Sequence, residues 1–443
     1  MASAAQLQET LRLKLDYEEL TNCMRCGFCL PHCPTFKETG VEAESPRGRL
    51  ALMKAAVDGV LEPGAGFEDQ MYHCLGCRAC EPACPADVKY GHLIEQTRDA
   101  IEEHTTQHRW WIKPIRSLVF KQLFPSQNRM KLLGYSLRFY QQSGLQKLAQ
   151  GTGIMKMFPA HMAEMEAVLP QASGKGVIEH LGTFVPAKGT KVGTVGMFRG
   201  CLMDVLFTQT NVHTVELLSE AGFDVVIPEA QNCCGALHAH SGETSQAKEL
   251  AKRNIEAFQA AGVDYIISNA GGCGAILMEY DHLLHDEPAW KESSAWFAKR
   301  VKDLSAILVE HGHTLPFAEA GSQPEVSVTY QDSCHLKNVM KGGTAPRQLI
   351  NSAGSCSFIE MKDAGSCCGS AGIYNLTQPE MAGQLLEKKM TNANATNARY
   401  LVTSNPGCLL QMKLGIAKHG QQGKMEAVHI ADFLHERLAQ RAH

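Results

Sequence analysis

Eight of the chain's seventeen cysteines fall into two runs of one grammar: Cys23, Cys26, Cys29 and Cys33 before Pro34, and Cys74, Cys77, Cys80 and Cys84 before Pro85. Each run reads C-x-x-C-x-x-C-x-x-x-C-P, the spacing that holds a pair of 4Fe-4S clusters. Three closely spaced thiolates reach three corners of one iron–sulfur cube, and the proline turns the fourth cysteine away toward the other cube. The expected ligand sets are Cys23, Cys26, Cys29 and Cys84 for one cluster, and Cys74, Cys77, Cys80 and Cys33 for the second. Zinc, the competing ion, prefers two separated C-x-x-C pairs around one tetrahedral centre. A chain built on two such clusters moves electrons.

At 443 residues the chain is too long for one core and suggests about three domains. Its 44% apolar and 20% charged residues are those of an ordinary globular protein. No N-terminal signal pattern is present, so the cysteines read as metal ligands in a reducing, cytoplasmic compartment rather than as disulfides. No apolar run approaches the roughly 18 residues that span a bilayer, which leaves peripheral contact at the inner face of the cell membrane as the form of membrane association. A net charge of −4 argues for no nucleic-acid partner.

Between the two runs, Ser45 can cap a helix that opens with Pro46, carries Leu50, Met53 and Val57 on one face, and stops near Gly59. A further helix places Tyr90, Leu93, Ile94 and Ile101 at helical spacing. An N-terminal domain over about 1–103 is expected to be all-helical. From His104 to Ala163 there is no Asp or Glu, while Arg109, Lys113, Arg116, Lys121, Arg129, Lys131, Arg138, Lys147 and Lys156 interleave with apolar residues such as Trp110, Leu118 and Phe124. The stretch reads as a basic helical linker over 104–190. It either packs against its flanking domains or docks on an anionic bilayer face or an acidic subunit.

Beyond about residue 190 the chain repeats itself. Cys201, then Cys233-Cys234-Gly235, then Cys273 are echoed by Cys334, then Cys367-Cys368-Gly369, then Cys408. The two copies span 191–325 and 326–443. Each cysteine follows a short β-like run: Val192 to Phe198, Asp224 to Ile227 and Asp264 to Ser268 in the first copy, and Val326 to Tyr330, Ser357 to Met361 and Tyr400 to Thr403 in the second. Strands alternating with helices imply a parallel α/β sheet, which gathers ligands at the carboxyl ends of its strands. The four cysteines of each copy are therefore expected to converge near helix N-termini, whose N–H groups favour thiolates. Cys356 has no counterpart and reads as a core residue, and His238, His240 and His335 as structural histidines beside the ligands.

These motifs, with the segment Ser45-Pro46-Arg47-Gly48-Arg49 and two Cys-Cys-Gly modules, resemble the iron–sulfur subunits of bacterial glycolate oxidases, which are acceptor-dependent glycolate dehydrogenases. The resemblance covers nearly the whole chain. It implies a helical ferredoxin domain like that of respiratory dehydrogenases, two 4Fe-4S clusters, further iron–sulfur in the modules, and partner subunits carrying FAD. Electrons taken from glycolate would pass singly to a quinone or another acceptor. Related subunits serve D-lactate dehydrogenases, anaerobic glycerol-3-phosphate dehydrogenase and heterodisulfide reductases. The last of these use five thiolates per module, ending in C-x-x-C. Here Ile276 and Gln411 stand at the fifth position, which argues against disulfide chemistry and leaves at most one cubane per module. A zinc-binding or metal-free scaffold is the remaining alternative. The chain has no GxGxxG fingerprint, no flavin-attachment motif and no acid–base pair that assigns a catalytic residue.

Overall fold

A computed structural model describes residues 4–106, 108–153, 159–319, 321–420 and 423–439; Lys156 of the basic stretch lies outside them. The chain divides into two compact units. The first is Met1–Lys121 with Gly235–Ala247 and Ser366–Leu385; the second is Gln122–Cys234, Lys248–Gly365 and Leu386–His443.

In the first unit the described elements up to His104 are helices, among them Ala4–Lys14, Pro46–Val57, Ala65–Tyr72 and Tyr90–His104. The Ser45 hydroxyl accepts the Gly48 N–H at 3.0 Å and Pro46 occupies the first turn, which sets the start of Pro46–Val57. Helix Tyr90–His104 turns Tyr90, Leu93, Ile94, Ala100 and Ile101 into a core shared with Leu7, Leu11, Leu50, Met53 and Met71. Burying each Leu, Ile or Met of that size contributes about 1.5–3 kcal/mol. Gly48 is required by packing, because a Cβ there would run into the Glu42 carbonyl.

The second unit contains two sheets. Strands β1 (Phe184–Val185), β2 (Gly193–Phe198), β3 (Phe223–Val226), β4 (Tyr265–Ser268) and β5 (Val301–Asp303) lie in the order β1-β3-β2-β4-β5. Strands β6 (Val326–Gln331), β7 (Cys356–Phe358), β8 (Tyr400–Thr403) and β9 (Glu426–His429) lie in the order β7-β6-β8-β9. Dropping β1, the two orders are the same, so the cysteine repeat is also a repeat of topology. Among these nine strands the pairings are parallel except β1 with β3, which is antiparallel and caps the edge of the first sheet. That two-residue strand is too short to leave an alternation pattern, and the parallel expectation missed it. β5 and β9 were missed for a related reason, since neither leads to a cysteine. The strand expected over Ser357 to Met361 ends at Phe358 and begins one residue earlier. One apolar core runs through both sheets, from Val195, Met197 and Ile267 to Val328, Tyr330 and Val402.

The basic stretch forms helices Ile112–Arg116, Gln127–Gln142, Leu145–Gly151 and Ala160–Ala167, with a π-helical turn over Ser117–Leu123. Two of its cations are committed to packing. Arg116 pairs with Glu102 at 3.2 Å and Glu243 at 3.0 Å, and Lys131 pairs with Glu179. Trp110, Leu118, Leu132 and Phe139 are exposed. Among the described residues no helix is long and apolar enough to cross a membrane.

Candidate metal centres

The two N-terminal cysteine loops share a backbone signature. In the first, Arg25 has φ +55° and Gly27 φ +89°; in the second, Gly76 has φ +63° and Arg78 φ +57°. The left-handed residues stand two and four positions after the leading cysteine in both loops, with Arg and Gly exchanged. A non-glycine residue held there costs about 1–2 kcal/mol, so each loop accepts strain to wrap its backbone around what its cysteines hold.

Cys23, Cys26 and Cys29 line a cavity together with Cys84 and Cys80, closed by Arg47, Leu50, Pro85 and Tyr90. Cys74, Cys77 and Cys80 are buried, as is Cys33. Burial drives the Cys80 thiol well above its ordinary range, and the crowding of Cys77, Cys74 and Cys33 adds to it. Four acids packed in this way ionise together only around a cation, which is the donor chemistry of an iron–sulfur cluster.

Two guanidiniums supply counter-charge on the same side. Arg49 is fully buried. It pairs with Glu44 at 3.0 Å and donates to the Gln70 carbonyl at 2.7 Å and the Thr35 hydroxyl at 3.2 Å. Burial works against its charge, but Tyr90, Cys74, Cys33 and Glu44 outweigh it and keep Arg49 protonated beyond its usual range. Arg98 donates to the carbonyl oxygens of Met71 and Cys74. Although burial alone would push the Cys74 thiol up, Arg49, Arg98, the Tyr90 hydroxyl and the Gly76 N–H bring it below the ordinary thiol value. Sequence reading missed both arginines. Arg49 belongs to the quoted Ser-Pro-Arg-Gly-Arg segment, but nothing in one sequence distinguishes it from its neighbour Arg47, which pairs with Glu42 at the surface.

In the first Cys-Cys-Gly module the loops after β2, β3 and β4 bring four cysteines together. Cys201 Sγ lies 3.5 Å from Cys233 Sγ, and Cys234 is hydrogen-bonded to both Cys233 and Cys273. The Cys201 thiol is held well above its ordinary range, first by its hydrogen bond with Cys233 and then by burial. Four crowded thiols, three of them buried and that of Cys273 half-buried, again suit a cation. Gly235 and Gly369 take φ +86° and +87°, so the glycine after each cysteine pair sits in a conformation that side chains disfavour.

In the second module Cys334 follows β6 and Cys408 follows β8, each in the first turn of a helix, Cys334–Asn338 and Pro406–His419. Asn405 Nδ2 donates to Cys408 Sγ at 3.5 Å and Asn405 Oδ1 accepts the Gly272 N–H at 3.0 Å, joining the two modules at their helix starts. Cys367 and Cys368 belong to the first unit. No helix opens directly behind them; the next is Tyr374–Thr377. The expectation that the module cysteines lie at helix starts thus fails at this pair: Ala371 and Gly372 are both at positive φ where the first module, behind the equivalent Gly235, runs into helix Ala236–His240. Ile276 and Gln411 are buried, so the fifth positions carry no thiolate and no exposed substitute. Cys356 sits half-buried on β7. His238 is fully buried, donates from Nε2 to the Phe120 carbonyl at 2.9 Å, and has its pKa lowered by that burial.

Comparison with known proteins finds matches along most of the chain. A 4Fe-4S dicluster domain matches residues 19–88, the linker region of the glycolate oxidase iron–sulfur subunit matches 111–169, and a cysteine-rich domain matches twice, at 195–278 and 328–413. A probable glycolate oxidase iron–sulfur subunit of Bacillus subtilis is 51% identical over 433 residues, covering 97% of each chain. The glycolate oxidase iron–sulfur subunit of Escherichia coli is 26% identical over 88% of each chain. Lactate utilization protein A of Oceanobacillus iheyensis is 31% identical over 54% of this chain and 96% of its own. A hypothetical protein of Helicobacter pylori shares the fold with a TM-score of 0.54 at 8% identity, over 98% of this chain and 77% of that one. With duplicated cluster loops, a matching linker and two cysteine-rich modules along nearly its full length, the chain belongs to the family of glycolate oxidase iron–sulfur subunits.

Proposed function

We propose that this chain is the electron-carrying subunit of an FAD-dependent glycolate dehydrogenase, relaying electrons from a flavin subunit that oxidises glycolate to glyoxylate. The observation that carries the reading is the pair of strained cysteine loops backed by Arg49 and Arg98. When bound, two 4Fe-4S clusters supply one-electron carriers whose potentials follow local charge, hydrogen bonds to sulfur and burial. Cys23, Cys26, Cys29 and Cys84 hold one cluster and Cys74, Cys77, Cys80 and Cys33 the other, inside a helical ferredoxin domain over 1–103. The linker runs over 104–190 and the modules over 191–325 and 326–443. Cys201, Cys233, Cys234 and Cys273 form one four-thiolate site, and Cys334, Cys367, Cys368 and Cys408 are the ligands of its repeat. On this reading the flavin subunit, and not this chain, oxidises the hydroxy acid, in keeping with a sequence that carries no GxGxxG fingerprint and no flavin-attachment motif.

The test is reduction of the clusters in the co-purified complex, followed by low-temperature EPR. Glycolate should give the signals of reduced clusters. Signals with D-lactate and none with glycolate would move the chain to a lactate-oxidising complex, in line with its likeness to Lactate utilization protein A. More than eight irons per chain supports occupied modules, and a reproducible eight restricts iron to the N-terminal loops. Peripheral association at the inner face of the membrane, through exposed Trp110, Leu118, Leu132 and Phe139 amid basic residues, is the localisation that fits the linker.

A further inference from the structure

The first unit contains a cavity of about 260 Å³ that opens directly on Cys74. Its apolar wall is Leu75, Leu237, Ala371 and Ile373, and its polar wall is Glu68, Tyr72, Glu102, His108 and Arg116. This volume lies below the roughly 300–1,000 Å³ of sites for drug-sized ligands, so it suits a ring rather than a nucleotide. Both arginines of its lining already have their donors engaged. Arg98 is spent on the carbonyls of Met71, Cys74 and His240, and Arg116 on Glu102, Glu243 and the Ser241 carbonyl. With its arginine donors engaged in this way, the cavity favours a neutral, largely apolar ring over a hydroxy acid.

The polar wall handles protons. Thr105 Oγ1 donates to Glu68 Oε2 at 2.6 Å, which leaves the other carboxyl oxygen of Glu68 for a proton. Burial raises the Glu68 carboxyl above the ordinary range, and the neighbouring Glu102 charge raises it further. Burial acts on Glu102 too, but His108 at 2.9 Å, Arg116 and the Tyr72 hydroxyl hold its carboxylate ionised. Two carboxyl groups pushed in opposite directions mark a proton donor and a proton relay. The relay leads outward. Glu102, His108 and Arg116 also line a second, polar cleft of about 350 Å³ with Asp99, Glu103, Lys113 and Lys121.

We propose that this cavity binds the ring of a quinone, the terminal acceptor of the electrons held at the Cys74 cluster, with Glu68 as proton donor and Glu102–His108 as its supply from the polar cleft. The proposal rests on the electron-relay reading above. The reaction adds two electrons, delivered singly by two reduced clusters that are each oxidised by one, and two protons to the two ring oxygens, giving the quinol. The first proton leaves the Glu68 carboxyl. The second follows after Glu102 and His108 return a proton to Glu68 from the cleft.

The probe is menadione, applied to the full-length, cluster-loaded chain under anaerobic conditions. Equilibrium dialysis should show saturable binding, and Leu237→Trp, which fills the cavity, should weaken it about tenfold or more at unchanged iron content. Glu68→Gln should bind menadione as the wild type does. Its dithionite-reduced clusters should be reoxidised by menadione roughly a hundredfold more slowly, the usual scale of a lost general acid. Reoxidation by ferricenium, which takes an electron and no proton, should keep its wild-type rate in Glu68→Gln. Equal menadione binding by wild type and Leu237→Trp overturns the site, and equal slowing with both oxidants in Glu68→Gln overturns the proton role. Failure of glycolate and the flavin partner to reduce the wild-type clusters refutes the relay reading instead, and is measured without menadione.

Discussion

Replacing Arg49 with Met should destabilise the first unit and lower the potential of the cluster at Cys74. The guanidinium is fully buried, and its loss leaves the Glu44 carboxylate, itself 5% exposed, with His73 at 2.8 Å as its remaining ionic partner. Breaking a buried ion pair from one side costs about 3–5 kcal/mol, because the surviving charge stays out of water. The Gln70 carbonyl also loses its 2.7 Å donor. Against a typical domain stability of about 5–15 kcal/mol, this is a large fraction. The assay is anaerobic urea unfolding of the cluster-loaded chain, paired with a redox titration followed by EPR. Arg49→Met should unfold at markedly lower urea, and Arg49→Lys should fall between it and wild type, since one ammonium cannot reach Glu44, Thr35 and Gln70 in the same planar fork. The double variant Glu44→Gln with Arg49→Met should be less damaged than Arg49→Met alone, because no uncompensated charge remains. Stability within about 1 kcal/mol of wild type, or a potential that rises when the positive charge is removed, would refute the reasoning.

Cys84→Ser should perturb the EPR signal of the cluster held by Cys23, Cys26 and Cys29; damage confined to the other cluster would show that the fourth ligands do not cross. Gly369→Ala should cost more than the about 1–3 kcal/mol of a strained backbone alone, because the added Cβ would also lie 2.7 Å from the Ala382 carbonyl oxygen. At Gly235 the nearest atom is 3.4 Å away, so Gly235→Ala should show only the backbone cost, and equal melting losses would count against this distinction. Asp303 is fully buried, with its pKa pushed up to about 6 by burial, partly offset by the N–H donors at the start of the helix that follows. A folded pKa above the unfolded value stabilises fully below about pH 4, and this contribution is lost as pH rises through about 6. Asp303→Asn should remove a pH-dependent loss of about 3 kcal/mol across that window, and a stability difference between the two proteins that does not change with pH would contradict it.

What the sequence disclosed and what it withheld follow from range. The cysteine spacings, the Ser45 cap and the helical stripe of Tyr90, Leu93, Ile94 and Ile101 are local patterns, and the structure carries each of them. The doubled Cys-Cys-Gly module announced two parallel sheets because strand, cysteine and helix recur within a short stretch of chain. Arg49 and Arg98 were invisible, since their importance lies in carbonyls and sulfurs that other segments bring to them. Arg116 looked like one more docking charge until Glu102 and Glu243 accounted for it. Glu68 and Glu102 carry no motif at all; they are distinguished by burial and by one another.

The first unit is assembled from three separate lengths of chain, Met1–Lys121, Gly235–Ala247 and Ser366–Leu385. The latter two follow or contain the Cys-Cys-Gly pairs, and Tyr374 in the last of them donates to the His73 carbonyl, next to Cys74, at 3.0 Å. During synthesis the N-terminal cysteines leave the ribosome early, yet their unit lacks its final segment until residue 385 has been made. At about 5–20 residues per second that interval is roughly tens of seconds. The last segment to arrive, through Ala371, Gly372, Ile373 and Tyr374, completes the wall of the cavity on which Cys74 opens. The cysteine loops made first thus reach their finished surroundings only when most of the chain has been synthesised.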